Sequence, residues 1–264
     1  MSELSKSHFV LIPSYNTGEI LLRTIREAMN YWLPVWVVVD GSTDNTVERL
    51  QTMTESEPEL RVIVNSKNCG KGAAVLTGLC AAAKEGFTHA LIMDADGQHP
   101  AQDIQKIMAV SQSFPESMVL GLPVFDESAP KERLAGRKVA NFFVDLVSWG
   151  GGIGDSLFGF KLYPVRPLID VMESGLFARR YDFDAEVAVK LVWRGCRPIN
   201  VPCPCRYLSV SEGGISHFNY YRDNALLTFM FARLIVGTLV RSPILLWRKM
   251  NRRLGALPFD PAIV

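Results

Sequence analysis

The chain lacks most of what would place it outside the cell or on nucleic acid. Its five cysteines, Cys69, Cys80, Cys196, Cys203 and Cys205, make an odd count, and their spacing is not that of a disulfide-stapled domain. Cys203-Pro-Cys205 has no second pair to complete four zinc ligands, so the expectation is reduced thiols. An excess of one charge is missing too. With 28 Lys and Arg against 27 Asp and Glu, the net charge is +1, which argues against a dedicated nucleic-acid binder. Met1 to His8 is polar and has no hydrophobic signal region, so no signal peptide and a cytoplasmic protein are expected. No uncharged apolar run approaches the roughly 18–20 residues of a bilayer span. There is no internal repeat and no low-complexity segment. What remains is enough apolar chain, in 264 residues, to bury a core as one compact unit without staples.

Short apolar runs alternate with helix-length segments through the first half. Phe9–Ile12, Val35–Val39, Arg61–Val64 and Ala90–Met93 read as strands. Helices are predicted from Thr17 or Gly18, from Asp44 or Asn45 to about Ser56, over Lys71–Lys84 with Gly86 at the end, and over Ala101–Ser111 after Pro100. This alternation predicts an α/β fold, with a mostly parallel sheet covered on both faces. From Met118 the pattern is less regular. Gly121–Pro130 reads as a loop, Lys131–Trp149 as an amphipathic helix, Leu157–Tyr163 as a strand and Asp182–Trp193 as a helix. Ile199–Tyr207 reads as an extended segment that Pro202 and Pro204 confine to a sheet edge.

Ligands on such sheets bind beyond the carboxyl ends of the strands, and three polar clusters fall there: Pro13-Ser14-Tyr15-Asn16, Asp40 to Asp44, and Asp94 to His99. Asp94 and Asp96, one residue apart at a strand end, can converge on a hard divalent cation that also takes diphosphate oxygens, with Gln98 as a neutral oxygen ligand. Such an ion, Mg2+ or Mn2+, would offset charge building on a leaving nucleoside diphosphate. Asp40 can accept hydrogen bonds from a base or ribose, while Ser42 and Asp44 order the turn and cap the helix. Gly70-Lys71-Gly72 opens a helix where N–H groups and Lys71 can meet phosphate. It has neither Walker A nor Rossmann spacing.

Together these clusters resemble the family 2 glycosyltransferases. Ile12-Pro13-Ser14-Tyr15-Asn16 looks like that family's opening motif. Val38 to Thr46 resembles its nucleotide-binding turn, with Val39 where an acidic residue often stands, and Met93-Asp94-Ala95-Asp96-Gly97-Gln98-His99-Pro100 resembles its metal motif. Asp155 to Tyr163, Phe183-Asp184-Ala185-Glu186 and Gly213-Gly214-Ile215-Ser216-His217 are similar to segments of the dolichyl- and polyprenyl-phosphate sugar transferase branch, with His217 where a lysine is common. The resemblance implies a Rossmann-like sheet of GT-A type over residues 1–218, a divalent ion, and inversion at the anomeric carbon.

It also sets the expected site. Pro13, Tyr15, Asn16, Asp40, Ser42, Lys71, Asp94 and Ala95 would bind a UDP- or GDP-sugar, with Asp94, Asp96 and Gln98 on the metal. A lipid-phosphate acceptor is already an anion and needs only cations, for which Arg133, Arg137 and Arg206 are the candidates, with His217 as a further contact or a structural histidine. A hydroxyl acceptor would need a base, for which Asp184 and Glu186 are candidates. Both also fit a structural salt bridge. Transfer to a non-lipid hydroxyl, nucleotidyl transfer and a catalytically silent nucleotide-sugar binder are the alternatives. Phe142, Phe143, Trp149, Phe229 and Phe231 read as core or interface. Residues 219–264 form an apolar and basic helical tail, in which Arg222, Asp223, Arg233 and Arg241 interrupt Tyr220–Leu246, and Arg248, Lys249, Arg252 and Arg253 follow beside Trp247. Such a helix suits the cytoplasmic face of a membrane, peripherally bound, or else a core or dimer contact.

Overall fold

A computed structural model describes residues 4–126, 129–174, 180, 182–205 and 220–252. Seven strands form one sheet: β1 (His8–Ser14), β2 (Val35–Asp40), β3 (Leu60–Asn65), β4 (His89–Ile92), β5 (Ser117–Phe125), β6 (Lys161–Pro164) and β7 (Arg197–Cys205). Their order is β3-β2-β1-β4-β6-β5-β7. Every pairing is parallel except the two made by β6, which runs against β4 and β5. β1, β2 and β4 are buried along their whole length, which is why they read as apolar runs.

The sheet separates two apolar layers, and strand alternation sorts residues between them. Val10 and Ile12 face the layer of α1 (Gly18–Tyr31), α2 (Thr46–Ser56) and α4 (Ile104–Ser113). Phe9 and Leu11 face the layer of α3 (Lys71–Lys84), α6 (Val165–Glu173) and α7 (Phe183–Arg194). α1 buries Leu21, Thr24, Ile25 and Ala28, the three-and-four spacing of one helix face. Gly78 lets α3 lie close on the sheet, because a Cβ there would come within 2.6 Å of Leu11 Cδ1. Beyond α7 the second layer is extended by α5 (Lys131–Ser148) and α8 (Tyr220–Arg252). One carbonyl joins these three helices: Val147 O accepts from Trp193 Nε1 at 2.9 Å and Thr238 Oγ1 at 2.8 Å.

The first half matches the sequence expectation closely, and the second half departs from it in three places. Gly121–Pro130 is not all loop. β5 continues to Phe125, in register with β7 from Ser117↔Arg197 to Phe125↔Cys205. β5 meets β6 only at Val119 and Leu120, so Pro123 costs no ladder bond on that side. The strand expected over Leu157–Tyr163 begins only at Lys161. The preceding residues are held in a turn by Asp155, whose Oδ1 accepts from the N–H groups of Leu157 (2.9 Å) and Phe158 (2.8 Å). α6 has no counterpart in the sequence reading. β7 is an edge strand, as Pro202 and Pro204 require.

Candidate active site

The ends of β1, β2 and β4 bring the three polar clusters together. Asn16 and the Asp40 turn hold one another: Asn16 N–H donates to Ser42 Oγ at 3.0 Å, and Thr43 N–H donates to Asn16 Oδ1 at 2.8 Å. Pro13 is buried in β1, and Tyr15 stands half-buried beside Asn16. Gly41 has φ +65°, and a Cβ there would strike the backbone of Lys67 and Asn68, so the turn admits only glycine without strain.

Asp40, expected to accept from a base or ribose, is bound within the chain. It is 2% exposed, and its carboxylate accepts from Asn65 Nδ2 at 2.9 Å, Cys69 N–H at 2.9 Å and Gly70 N–H at 2.7 Å. Its energy goes into the β3–α3 loop and so into the position of Lys71. Asp44 accepts from Thr46 N–H at 3.2 Å, a local turn at the start of α2.

Lys71 is the centre of the site. Its Nζ lies 2.6 Å from Asp94 Oδ1 and 2.6 Å from Asp184 Oδ2. Burial opposes charge on Lys71 and Asp94, but attraction between neighbouring opposite charges prevails at both. The lysine is raised above its usual value by Asp184 and Asp94, and the Asp94 carboxyl is held well below its range by Lys71 and His99. Asp96, next along the loop, goes the other way: burial raises its carboxyl and Asp94 adds to the rise. Its Oδ1 accepts from Gln98 N–H at 3.0 Å. Ala95 between them is buried. Gln98 lines an open cleft of about 520 Å³ with Glu27, Asn30 and Tyr31.

Residues that no role was predicted for complete the walls. His99 is buried between Phe158 and Phe160, ring centroids 4.7 and 5.4 Å away, with Nε2 3.4 Å from Asp94 Oδ2. Gly159 gives Asp94 its room, since a Cβ there would overlap the carboxylate. Lys161 is fully buried, donating to Ser156 O at 2.7 Å and Asp184 O at 3.2 Å. Burial lowers its pKa to about 8 against the pull of Asp184 and Asp155. A lone lysine inside the apolar run Phe158 to Tyr163 was the available sign of a buried cation.

The acceptor candidates are divided. Arg137 pairs with Asp155 at 2.7 Å and lies over the Phe125 ring at 5.2 Å. Arg133 is exposed one turn earlier on α5. Arg206 and His217 fall outside the described residues. Of the two candidate bases, Asp184 belongs to the Lys71 cluster and Glu186 does not. The Glu186 side chain is 0% exposed, bound by both terminal nitrogens of Arg233 (3.1 and 2.8 Å) and by Lys190 at 2.5 Å. A carboxylate spent on two cations and closed to solvent is a helix-docking group, not a base.

Among the described residues, no group of three or more His, Cys, Asp or Glu side chains stands ready to hold a metal. Asp94 and Asp96 supply hard oxygens, and Gly159, without a Cβ, lets the Asp94 carboxylate pack against its backbone. This set fits a divalent ion that takes its remaining ligands from a diphosphate.

Comparison with known proteins agrees with this geometry. The chain is 25% identical over 197 residues to a UDP-N-acetylglucosamine–dolichyl-phosphate N-acetylglucosaminyltransferase of Methanococcus voltae, covering 69% of this chain and 78% of that one. It is 29% identical over 226 residues to a dolichyl-phosphate beta-glucosyltransferase of Trichomonas vaginalis (78% and 66% covered). With the polyprenol monophosphomannose synthase of Mycolicibacterium smegmatis it shares 25% over 199 residues (73% and 75%). Among solved structures, a glucosyl-3-phosphoglycerate synthase of Mycobacterium tuberculosis, in complex with Mn2+, UDP-glucose and phosphoglyceric acid, superposes with a TM-score of 0.56 at 17% identity, covering 90% of this chain and 80% of that one. That likeness supports the GT-A type of fold. Residues 9–172 match the family described as glycosyl transferase family 2. The chain therefore belongs to glycosyl transferase family 2, the nucleotide-sugar-dependent glycosyltransferases.

Proposed function

We propose that the chain transfers a sugar, with inversion, from a nucleoside diphosphate donor to a polyprenyl-phosphate lipid at a membrane surface. The observation that carries this is the Lys71–Asp94–Asp184 cluster, set where three parallel strands end and beside the Arg137–Asp155 pair. The loop after β1 and the Asp40 turn are one unit, since Asn16 and Ser42 fix each other. Lys71 and the N–H groups at the start of α3 face the donor diphosphate. Asp94 and Asp96 would hold a divalent ion, which when bound offsets the charge on the leaving diphosphate.

The acceptor side favours an anion over an alcohol. Asp184 already carries the Lys71 ammonium, and Glu186 is closed off, so neither is placed as a general base. A phosphate acceptor needs none. Arg137 and Arg133 on α5 would hold it, with Arg137 sharing its charge between phosphate and Asp155. The dolichyl-phosphate and polyprenol relatives support the same acceptor class.

The surface beside the site suits a lipid. α5 and α8 pack together through Phe143 and Phe231, ring centroids 5.4 Å apart. They leave Val139, Phe142 and Leu146 of α5, and Phe229, Val236, Leu239, Val240 and Trp247 of α8, exposed to solvent. Ala225–Arg248 is long and apolar enough to cross a bilayer, with mean hydropathy 1.6 and 22% of that stretch buried. Arg233 argues for lying along the surface instead, because it is bound into the domain by Glu186. On the same helix Arg248 donates to Trp193 O and Arg241 lies over the Trp193 ring at 4.9 Å, so a membrane contact would rest on the exposed apolar side chains.

Acceptor choice tests the proposal. With one labelled donor and a divalent ion, polyprenyl phosphate should accept sugar and the matching free polyprenol should not. Equal transfer to both would overturn the phosphate-acceptor reading.

A further inference from the structure

The ammonium of Lys71 occupies ground that a second cation would need. One lysine neutralises two carboxylates from distant parts of the chain: Asp94, in the loop after β4, and Asp184, in the first turn of α7, each 2.6 Å from Nζ. The side chain is only 17% exposed, so solvent does little to screen it. Its origin is fixed as well as its tip. Lys71 opens α3, and Asp40 anchors the two residues before it through the N–H groups of Cys69 and Gly70.

Asp94 is enclosed from the remaining directions. Its Oδ2 faces His99 Nε2 at 3.4 Å, and Gly159 closes the wall against the carboxylate with no side chain. Each Asp94 oxygen therefore already faces a nitrogen. A bare divalent ion approaching Oδ1 meets a like charge that touches the same atom. Among the described residues Asp94, Asp96 and Asp184 form no three-ligand group, and the cation that Asp94 and Asp184 share is the Lys71 ammonium.

We infer that Lys71 is a resident cation that keeps the place of the divalent ion at Asp94 while the donor is absent, so that ion and nucleoside diphosphate enter together. The diphosphate oxygens draw Nζ off Asp94, and they supply the ligands the ion lacks. Asp184 keeps the ammonium within reach throughout and receives it again when the products leave. No covalent bond changes; one cation replaces another at Oδ1. The exchange rests on the nucleotide-sugar reading of the site, but the donor-free state does not.

The test is Mn2+ binding to the full chain, read as free Mn2+ by electron paramagnetic resonance. Without nucleotide, Lys71→Met should bind Mn2+ at least roughly tenfold more tightly than the wild type, since the repelling charge is gone. Lys71→Arg should stay as weak as the wild type. Adding Asp94→Asn to Lys71→Met should erase the gain and so locate the ion. Lys71→Gln serves if the methionine variant does not fold. When UDP or GDP is added, the wild-type affinity for Mn2+ should rise, and that of Lys71→Met should rise less. If neither neutral variant binds donor-free Mn2+ more tightly, the inference is overturned, even if the wild type transfers sugar. If the neutral variants do bind more tightly but neither nucleotide affects the wild type, the placeholder stands and the nucleotide-sugar reading falls.

Discussion

Gly159 decides whether Asp94 has room to work. A methyl group at that position would overlap the Asp94 carboxylate, so Gly159→Ala should displace it, cut turnover roughly a hundredfold and cost about 1–3 kcal/mol of stability, with circular dichroism showing the fold retained. Asp96→Ala should lower turnover at least as far, since it removes one of two oxygen-donor side chains, and circular dichroism should show the fold intact. Retained activity in Asp96→Ala would remove the metal reading. A third single-residue effect is independent of the site. His8 is buried, stacked on His89 at 4.3 Å and bonded to Ser111 Oγ at 3.1 Å. Burial and then His89 lower its pKa from 6.5 to about 4. Its neutral form is favoured only in the folded chain, so the unfolded chain takes up the proton first. This term is absent above pH 6.5, and stability falls as pH drops from 6.5 to about 4, by up to about 3 kcal/mol. His8→Asn should flatten melting temperature against pH over that window; an equal slope in both proteins would refute the assignment. Lys71 was legible as a helix-opening cation, but its partner Asp184 lies 113 positions away, a distance no local pattern bridges. The partners of Asp40, Asn65, Cys69 and Gly70, lie 25 to 30 positions away. A strand-end carboxylate looks the same in sequence whether it meets a ligand or its own loop.

Among the elements, α7 joins the site to α8. Its first turn places Asp184 on Lys71, and two positions on Glu186 takes Arg233 from α8. Without Arg233 the buried Glu186 carboxylate keeps Lys190 on Oε1 but loses its partner on Oε2. Arg233→Gln should therefore cost about 1–2 kcal/mol, measured by urea unfolding, and loosen α8 before the sheet. A loss below the error of the fit would show that the helix docks through apolar contacts alone. The strands differ in how readably they are written. β1, β2 and β4 announce themselves because both faces are buried. β5 hides behind Gly121 and Pro123, whose fitness for a strand depends on its pairing with β6 ending at Leu120↔Lys161. α6 escapes because it is nine residues long and holds Pro167 in its first turn, a place a helix tolerates but a periodicity count does not reward.

For the whole molecule, the sheet brings donor groups to its carboxyl edge while α5 and α8 turn an apolar surface outward. Deleting the chain after Leu239 should move the protein from the vesicle pellet to the supernatant, because Val240, Ile244, Leu246, Trp247 and Met250 are all exposed and would go with it. A truncated protein that still pellets would assign the contact to α5. The general fold and the family were legible, since three strand-end motifs of the first half carry them. Which side of α8 stays exposed was not, because that depends on which side Glu186 claims. Transfer itself is the most direct test of the account. Purified protein is incubated with polyprenyl phosphate, Mn2+ or Mg2+, and radiolabelled UDP- and GDP-sugars, and label is counted in the organic phase. The account predicts that one donor delivers label, that chelation stops it, and that Asp96→Ala fails to deliver it. Donor binding with no label in the organic phase would contradict the lipid-phosphate claim at its centre.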